Sequence, residues 1–218
     1  MGGLRVENEN LKNREEMREI YLKGRREELK NKSFTLISNN CNGCFILHDL
    51  GLKFNTPTVN LYFSMEDFIK FLERLDYYLT LELEEAEWSK YPIGKLGDIK
   101  INFMHYENFQ LAKEKWDERK KRIDKNNLYI LATEKDGCTY ELIKRFNNLP
   151  YKNKVMLTHK PYDEVKSTYY IKGFESRHSL GFIFEYKGEN TYLKYYDDFD
   201  YVEWFNNGVY WFILWNRK

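Results

Sequence analysis

Phe34-Thr35-Leu36-Ile37-Ser38-Asn39-Asn40-Cys41 is the stretch from which the rest of the chain is read. Phe34 to Ile37 is a short, apolar, β-prone run with the length of a buried strand. It stops abruptly in Ser38-Asn39-Asn40, residue types that favour turns and helix caps. A short helical stretch over Phe45–Leu50 follows and ends at Gly51. A buried strand running directly into a helix is the opening of an α/β unit.

Working outward, the alternation continues. Val59–Phe63 reads as a second strand. Ser64 then stands three residues before Asp67, a helix start resembling a capping box. Phe68, Phe71, Leu72, Leu75 and Leu79 recur at helical spacing and predict one amphipathic helix. Tyr91-Pro92-Ile93-Gly94 reads as a turn, Ile99–Met104 as a strand, Glu107–Ile123 as a charged helix, Leu128–Ala132 as a strand, Tyr140–Leu149 as a helix and Lys154–Thr158 as a strand. Strands alternating with helices predict an α/β fold, a three-layer αβα arrangement with a largely parallel central sheet. Leu36, Val59, Ile101, Ile130 and Val155 are expected on neighbouring strands. Beyond Pro161 the pattern predicts a strand-rich C-terminal part made of Tyr169–Phe174, Phe182–Tyr186, Tyr192–Tyr196 and Val209–Trp215. Upstream, Leu11–Lys30 is charged, proline-free and rich in helix formers. Residues 1–32 are therefore expected to form a helical extension, dispensable to a single α/β domain over residues 33–218.

Composition narrows the function classes. The chain has 35 Lys+Arg against 34 Asp+Glu, a net charge of +1, so no field of one sign attracts nucleic acid over distance. Its 3 cysteines are too few for a disulfide framework and suit a reducing compartment. Met1-Gly2-Gly3-Leu4-Arg5 lacks the apolar core of a signal peptide, and the apolar run Val209–Trp215 is too short to span a bilayer as a helix. A cytoplasmic protein without a transmembrane segment is expected. No glycine-rich nucleotide motif or P-loop string occurs, so the sequence names no cofactor, and it does not set the oligomeric state.

Several strings carry a resemblance. Ile37-Ser38-Asn39-Asn40-Cys41-Asn42-Gly43 is similar to the opening motif of a bacterial family designated domain of unknown function nineteen-nineteen, associated with exopolysaccharide biosynthesis. Thr56-Pro57-Thr58-Val59, Tyr91-Pro92-Ile93-Gly94, Asp98-Ile99, His105-Tyr106, Trp116 with Arg119-Lys120 and Arg122-Ile123, and Asn127-Leu128 follow in order. Tyr201-Val202-Glu203-Trp204 resembles the closing motif. Where members carry tryptophan and two glycines after the cysteine, this chain has Asn42, Gly43 and Cys44. The resemblance implies a role in surface-polysaccharide synthesis, with a polysaccharide precursor or activated donor as partner. A fainter resemblance is to papain-like cysteine peptidases related to a poxvirus protein, which share an Asn-Cys pair, a later strand ending in His and a basic helix.

The residues themselves suggest chemistry. Cys41 lies between a strand end and a helix start, where unpaired amides favour a thiolate and could hold an oxyanion, with Asn40 assisting. His105 also ends a predicted strand, and in a parallel sheet such ends share the edge where ligands bind. Cys41 as nucleophile and His105 as base are the expected catalytic pair, with Asp98 or an asparagine orienting the imidazole. A buried packing cysteine and a structural histidine are the plain alternative. Ser38, Asn39 and Asn40 could bond a sugar hydroxyl or cap the following helix; Gly43, Asp98 and Tyr106 complete the expected binding set. Arg119 and Arg122, one turn apart, could hold a diphosphate in a glycosyl- or phosphoglycosyl-transferase, or face solvent. A non-enzymatic glycan- or partner-binding factor is the third class. Cys41-Asn42-Gly43-Cys44 has dithiol spacing without a thioredoxin-like surround, and adding His48 leaves it short of four zinc ligands. Asp197-Asp198-Phe199-Asp200 could hold a metal and nucleotide sugar or form a solvated turn.

Overall fold

The computed structural model describes the backbone of residues 2–208 and the side chains of residues 12–86 and 89–208. The strand expected at Val209–Trp215 lies outside the described residues.

Four strands form the central sheet: β1 (Thr35–Ser38), β5 (Leu128–Thr133), β6 (Asn153–Thr158) and β7 (Thr168–Tyr170), in the order β1-β5-β6-β7 and all parallel. Side chains alternate across a strand, and both faces of this sheet are covered. Ile37, Ile130, Ala132 and Met156 point into one apolar core; Leu36, Tyr129, Leu131, Val155 and Leu157 point into another. The first core is closed by α3 (Met65–Glu73), α5 (Phe109–Lys120) and α6 (Tyr140–Asn148), the second by α2 (Asn42–Asp49) and α7 (Tyr201–Asn207). The α/β class with helices on both faces of a parallel sheet therefore stands.

The Ser64 cap is as the sequence suggests, and Asn108 and Thr139 cap α5 and α6 in the same way, whereas α2 starts at Cys41 without a side-chain cap. Ser64 accepts from the Asp67 amide at 3.1 Å, Asn108 from Leu111 at 2.8 Å and Thr139 from Leu142 at 3.3 Å. The helix predicted through Leu79 breaks at Arg74, whose backbone (φ −134°, ψ 42°) leaves the helical region and separates α3 from α4 (Leu75–Thr80).

Three expectations about strands need correction. Ile101 is not in the parallel sheet; it belongs to a second, antiparallel sheet of β2 (Glu84–Trp88), β3 (Pro92–Leu96) and β4 (Ile99–Asn102). Val59 is in no strand, and its segment touches that second sheet through a single bridge from Tyr62 to Asn102. Among the described residues beyond Pro161, β7 is the one strand, and Tyr186 with Lys194 forms an isolated bridge. Ile183 and Tyr196 are buried in the second core, so these aromatic segments pack as loops rather than pair as strands.

The N-terminal helix α1 (Gly2–Glu28) is held against the body. Leu22 and Leu29 are buried, and Arg18, 5% exposed, donates to Asp49 at 2.6 Å and pairs with Asp197. Arg25 pairs with Asp200.

Candidate functional site

The turn after β1 is built from short polar side chains that satisfy buried backbone. The Ser38 amide donates to Thr58 Oγ1 at 3.1 Å, and Ser38 Oγ donates to the Asn40 carbonyl at 2.7 Å. Asn39 accepts from the Thr133 amide at 2.9 Å and donates to the Thr133 carbonyl at 3.2 Å, while its own carbonyl accepts from Phe63. Asn42 donates to Thr133 Oγ1 at 3.1 Å. Gly43 lets α2 cross β1 closely, since a Cβ there would lie 2.7 Å from the Ser38 Cβ. Ser38, Asn39 and Gly43 thus work as supports: all three are buried, and none faces the cleft described next.

That cleft, about 480 Å³, opens at the carboxyl ends of the parallel strands. It is lined by Asn40 and Cys41 from the turn, Asn42 from the start of α2, Tyr62 from the segment that bridges to β4, Tyr91 and His105 from beside β3 and β4, and Lys135 and Asp136 from the loop after β5. Phe45, Phe182 and Phe184 supply an aromatic wall, with Phe45 and Phe182 each within about 5.5 Å of the Phe184 ring centroid (4.9 and 5.4 Å). Cys41 and His105 thus share one cleft, but not for the reason the sequence suggested. His105 follows β4 of the antiparallel sheet; reciprocal 2.9 Å bonds join Asn102 of β4 to Tyr62, and the adjacent Phe63 amide donates to the Asn39 carbonyl of the turn at 2.9 Å. His105 is exposed, and the Cys41 sulfur donates toward the Leu61 carbonyl at 3.8 Å rather than to the imidazole.

The electrostatics are those of a resting thiol. Burial pushes the Cys41 thiol up, a main-chain hydrogen bond with Leu61 partly offsets this, and the Asp136 charge adds to it. Burial likewise holds the Asp136 carboxyl above the usual carboxylate range, against the pull of Lys135 and of the Asn40 amide bonded to it. Asn40 Oδ1 accepts from the Asn42 amide at 3.1 Å, so both ends of the Asn40 side chain are engaged and it does not serve as an unoccupied oxyanion donor. Asp136 has φ 55°, a left-handed conformation unusual for a residue with a side chain. Tyr62 and Tyr91 share a 2.6 Å hydroxyl bond at the cleft, and burial together with Tyr91 pushes Tyr62 up to about 12.

The other expected residues lie away from this cleft. Asp98 accepts from Tyr78 at 2.7 Å on the far part of the antiparallel sheet and cannot orient His105. Tyr106 donates to the Val59 carbonyl at 3.1 Å and accepts from Arg119 at 2.8 Å. Arg122 donates to the Phe54 carbonyl at 3.3 Å and pairs with Glu118. These two arginines brace the scaffold and form no diphosphate clamp in the cleft.

All three cysteines are free thiols. Cys44 is buried, donates toward the Thr58 carbonyl at 3.6 Å, and is pushed up to about 12 by that burial, so it is a poor exchange partner for Cys41. Among the described residues no group of three His, Cys, Asp or Glu is placed to hold a metal, and Asp197, Asp198 and Asp200 are each tied to a basic side chain.

Asp136, Lys135 and the aromatic wall are the residues that sequence reasoning missed. A second missed cluster stands behind their loop. Glu134, 4% exposed, accepts from the His159 amide at 2.9 Å and from Tyr162 at 2.7 Å, and its Oε2 lies 2.6 Å from His159 Nδ1. It fixes the loop to the end of β6.

Comparison with known proteins accords with the resemblance. The family model described as "Domain of unknown function (DUF1919)" matches residues 12–206. A protein of Haemophilus influenzae described as "Uncharacterized protein" is 52% identical over 181 residues, covering 83% of this chain and 87% of that protein. Among the described residues no helix is long and apolar enough to cross a membrane.

Proposed function

Because the chain belongs to the DUF1919 family, we propose a role in surface-polysaccharide synthesis: the cleft takes a saccharide precursor in the cytoplasm and transfers or hydrolyses an acyl group through Cys41. The observation that carries this reading is the shared lining of Cys41 and His105, side chains remote in sequence, in one cleft. The raised thiol sets the order of events. Cys41 stays protonated until an acyl donor binds. As its sulfur bonds the donor carbonyl carbon, the thiol proton passes to the His105 imidazole and then to the leaving group. A sugar hydroxyl, or water, then attacks the thioester, gives its proton to the same base and regenerates the thiol. The phosphoglycosyl-transfer alternative draws less support, since Arg119 and Arg122 point into the scaffold.

The raised thiol favours one competing reading, a glycan-binding protein in which Cys41 performs no chemistry. A thiol-reactive probe separates the two. Labelling mapped to Cys41 and blocked by an acyl thioester donor supports covalent chemistry. Labelling indifferent to every donor, but blocked by saccharide alone, supports binding only.

A further inference from the structure

We infer that the cleft recognises a saccharide bearing an anionic group, a sugar phosphate, with Lys135 as the anion-binding residue and the Phe182 ring as the stacking surface. The inference rests on the saccharide-binding reading of this cleft and adds the charge class of its ligand.

The Lys135 ammonium lies 3.9 Å from the centroid of the Phe182 ring, and Phe182 is 51% exposed. Among the described residues no carboxylate comes within ion-pair distance of Lys135, although Asp136 is its neighbour in the chain. An ammonium resting on an exposed ring makes a weaker interaction than a charge-assisted hydrogen bond to phosphate. A phosphate entering the cleft would therefore draw the ammonium off the ring. The uncovered ring can then pack against the apolar C–H face of a sugar, beside Phe184 and Phe45. Lys90 lines the same cleft and adds a second positive charge, while Asn42 and Asp136 offer partners to sugar hydroxyls. The loop carrying Lys135 is held by Glu134 and His159, so the ammonium is presented from a fixed base. A lysine binds phosphate as a point charge without needing a bidentate geometry.

Binding of three small probes to the full chain tests this: glucose 1-phosphate, glucuronate and glucose, titrated at low ionic strength and followed by amide chemical shifts. Glucose 1-phosphate should bind at least about tenfold more tightly than glucose, the margin expected for one charge-assisted bond. Lys135→Gln should abolish that margin, and Lys135→Arg should keep most of it. A margin for glucuronate without one for the phosphate would overturn the phosphate assignment and point to an acidic sugar. Equal affinity for all three, or a margin unchanged in Lys135→Gln, would overturn the anion site while leaving saccharide binding intact. No shift at Cys41, Tyr62 or Asp136 with any probe would overturn both readings.

Discussion

The Asn39 side chain closes both main-chain groups of Thr133, accepting from its amide at 2.9 Å and donating to its carbonyl at 3.2 Å. One buried amide thereby ties the end of β1, from which Cys41 emerges, to the end of β5, from which Lys135 and Asp136 emerge. Asn39→Ala leaves a buried N–H and C=O without partners and should cost about 2–4 kcal/mol in urea unfolding. Asn39→Asp retains the acceptor but sets a buried carboxylate oxygen against the Thr133 carbonyl, and should cost at least as much as alanine at neutral pH. A loss under about 0.5 kcal/mol for alanine, within the range of an ordinary surface change, would show that water replaces the amide.

Asp136 should be retained at a cost to stability. Its folded carboxyl is raised above the unfolded value by burial. Such a group contributes favourably below its unfolded pKa, and that contribution is lost as pH rises through the folded one. Asp136→Asn should therefore raise Tm at neutral pH, and the gain should shrink to nothing as pH falls below the ordinary carboxylate range. A gain that is the same at both ends of the titration would mean that packing, not ionisation, is responsible.

The helix α1 is expected from sequence to be dispensable, and the buried Arg18 argues the opposite. Its guanidinium faces Asp49 and Asp197, whose side chains are 10% and 1% exposed. Removing one partner of a buried ion pair leaves uncompensated charge, so Arg18→Met should destabilise by about 3–5 kcal/mol. Deletion of residues 1–28 would also uncover the apolar surface beneath Leu22, and should abolish cooperative unfolding. A truncated chain unfolding cooperatively at an unchanged midpoint would restore the view of α1 as an extension.

The parallel core was readable because β1, β5 and β6 are apolar runs too short for helices, each ending in a polar turn. Of the antiparallel layer only β4 was readable, as the alternating run from Ile99. Pro92-Ile93-Gly94 looks like a turn, yet it lies in β3, where Gly94 supplies room rather than flexibility: a Cβ would sit 2.8 Å from the Phe103 ring. Only the packed neighbour reveals that. Within the site, Cys41 and His105 could be picked out as reactive residue types beside apolar runs. Asp136 and Lys135 were hidden in Glu134-Lys135-Asp136-Gly137, whose Asp-Gly pair carries the ordinary signature of a solvated turn. Arg119 and Arg122 misled for the converse reason: their spacing fits phosphate, and only tertiary contact shows that Tyr106 and Phe54 occupy them.

The acyl-transfer account is tested most directly by trapping its intermediate. The full chain is mixed with an acyl thioester donor, quenched in acid within seconds, and mapped by peptide mass spectrometry. An acyl group on Cys41, absent from Cys41→Ser and strongly reduced in a folded His105→Ala variant, is the predicted result. Acylation confined to surface lysines, or a Cys41 adduct formed equally well without His105, would contradict it.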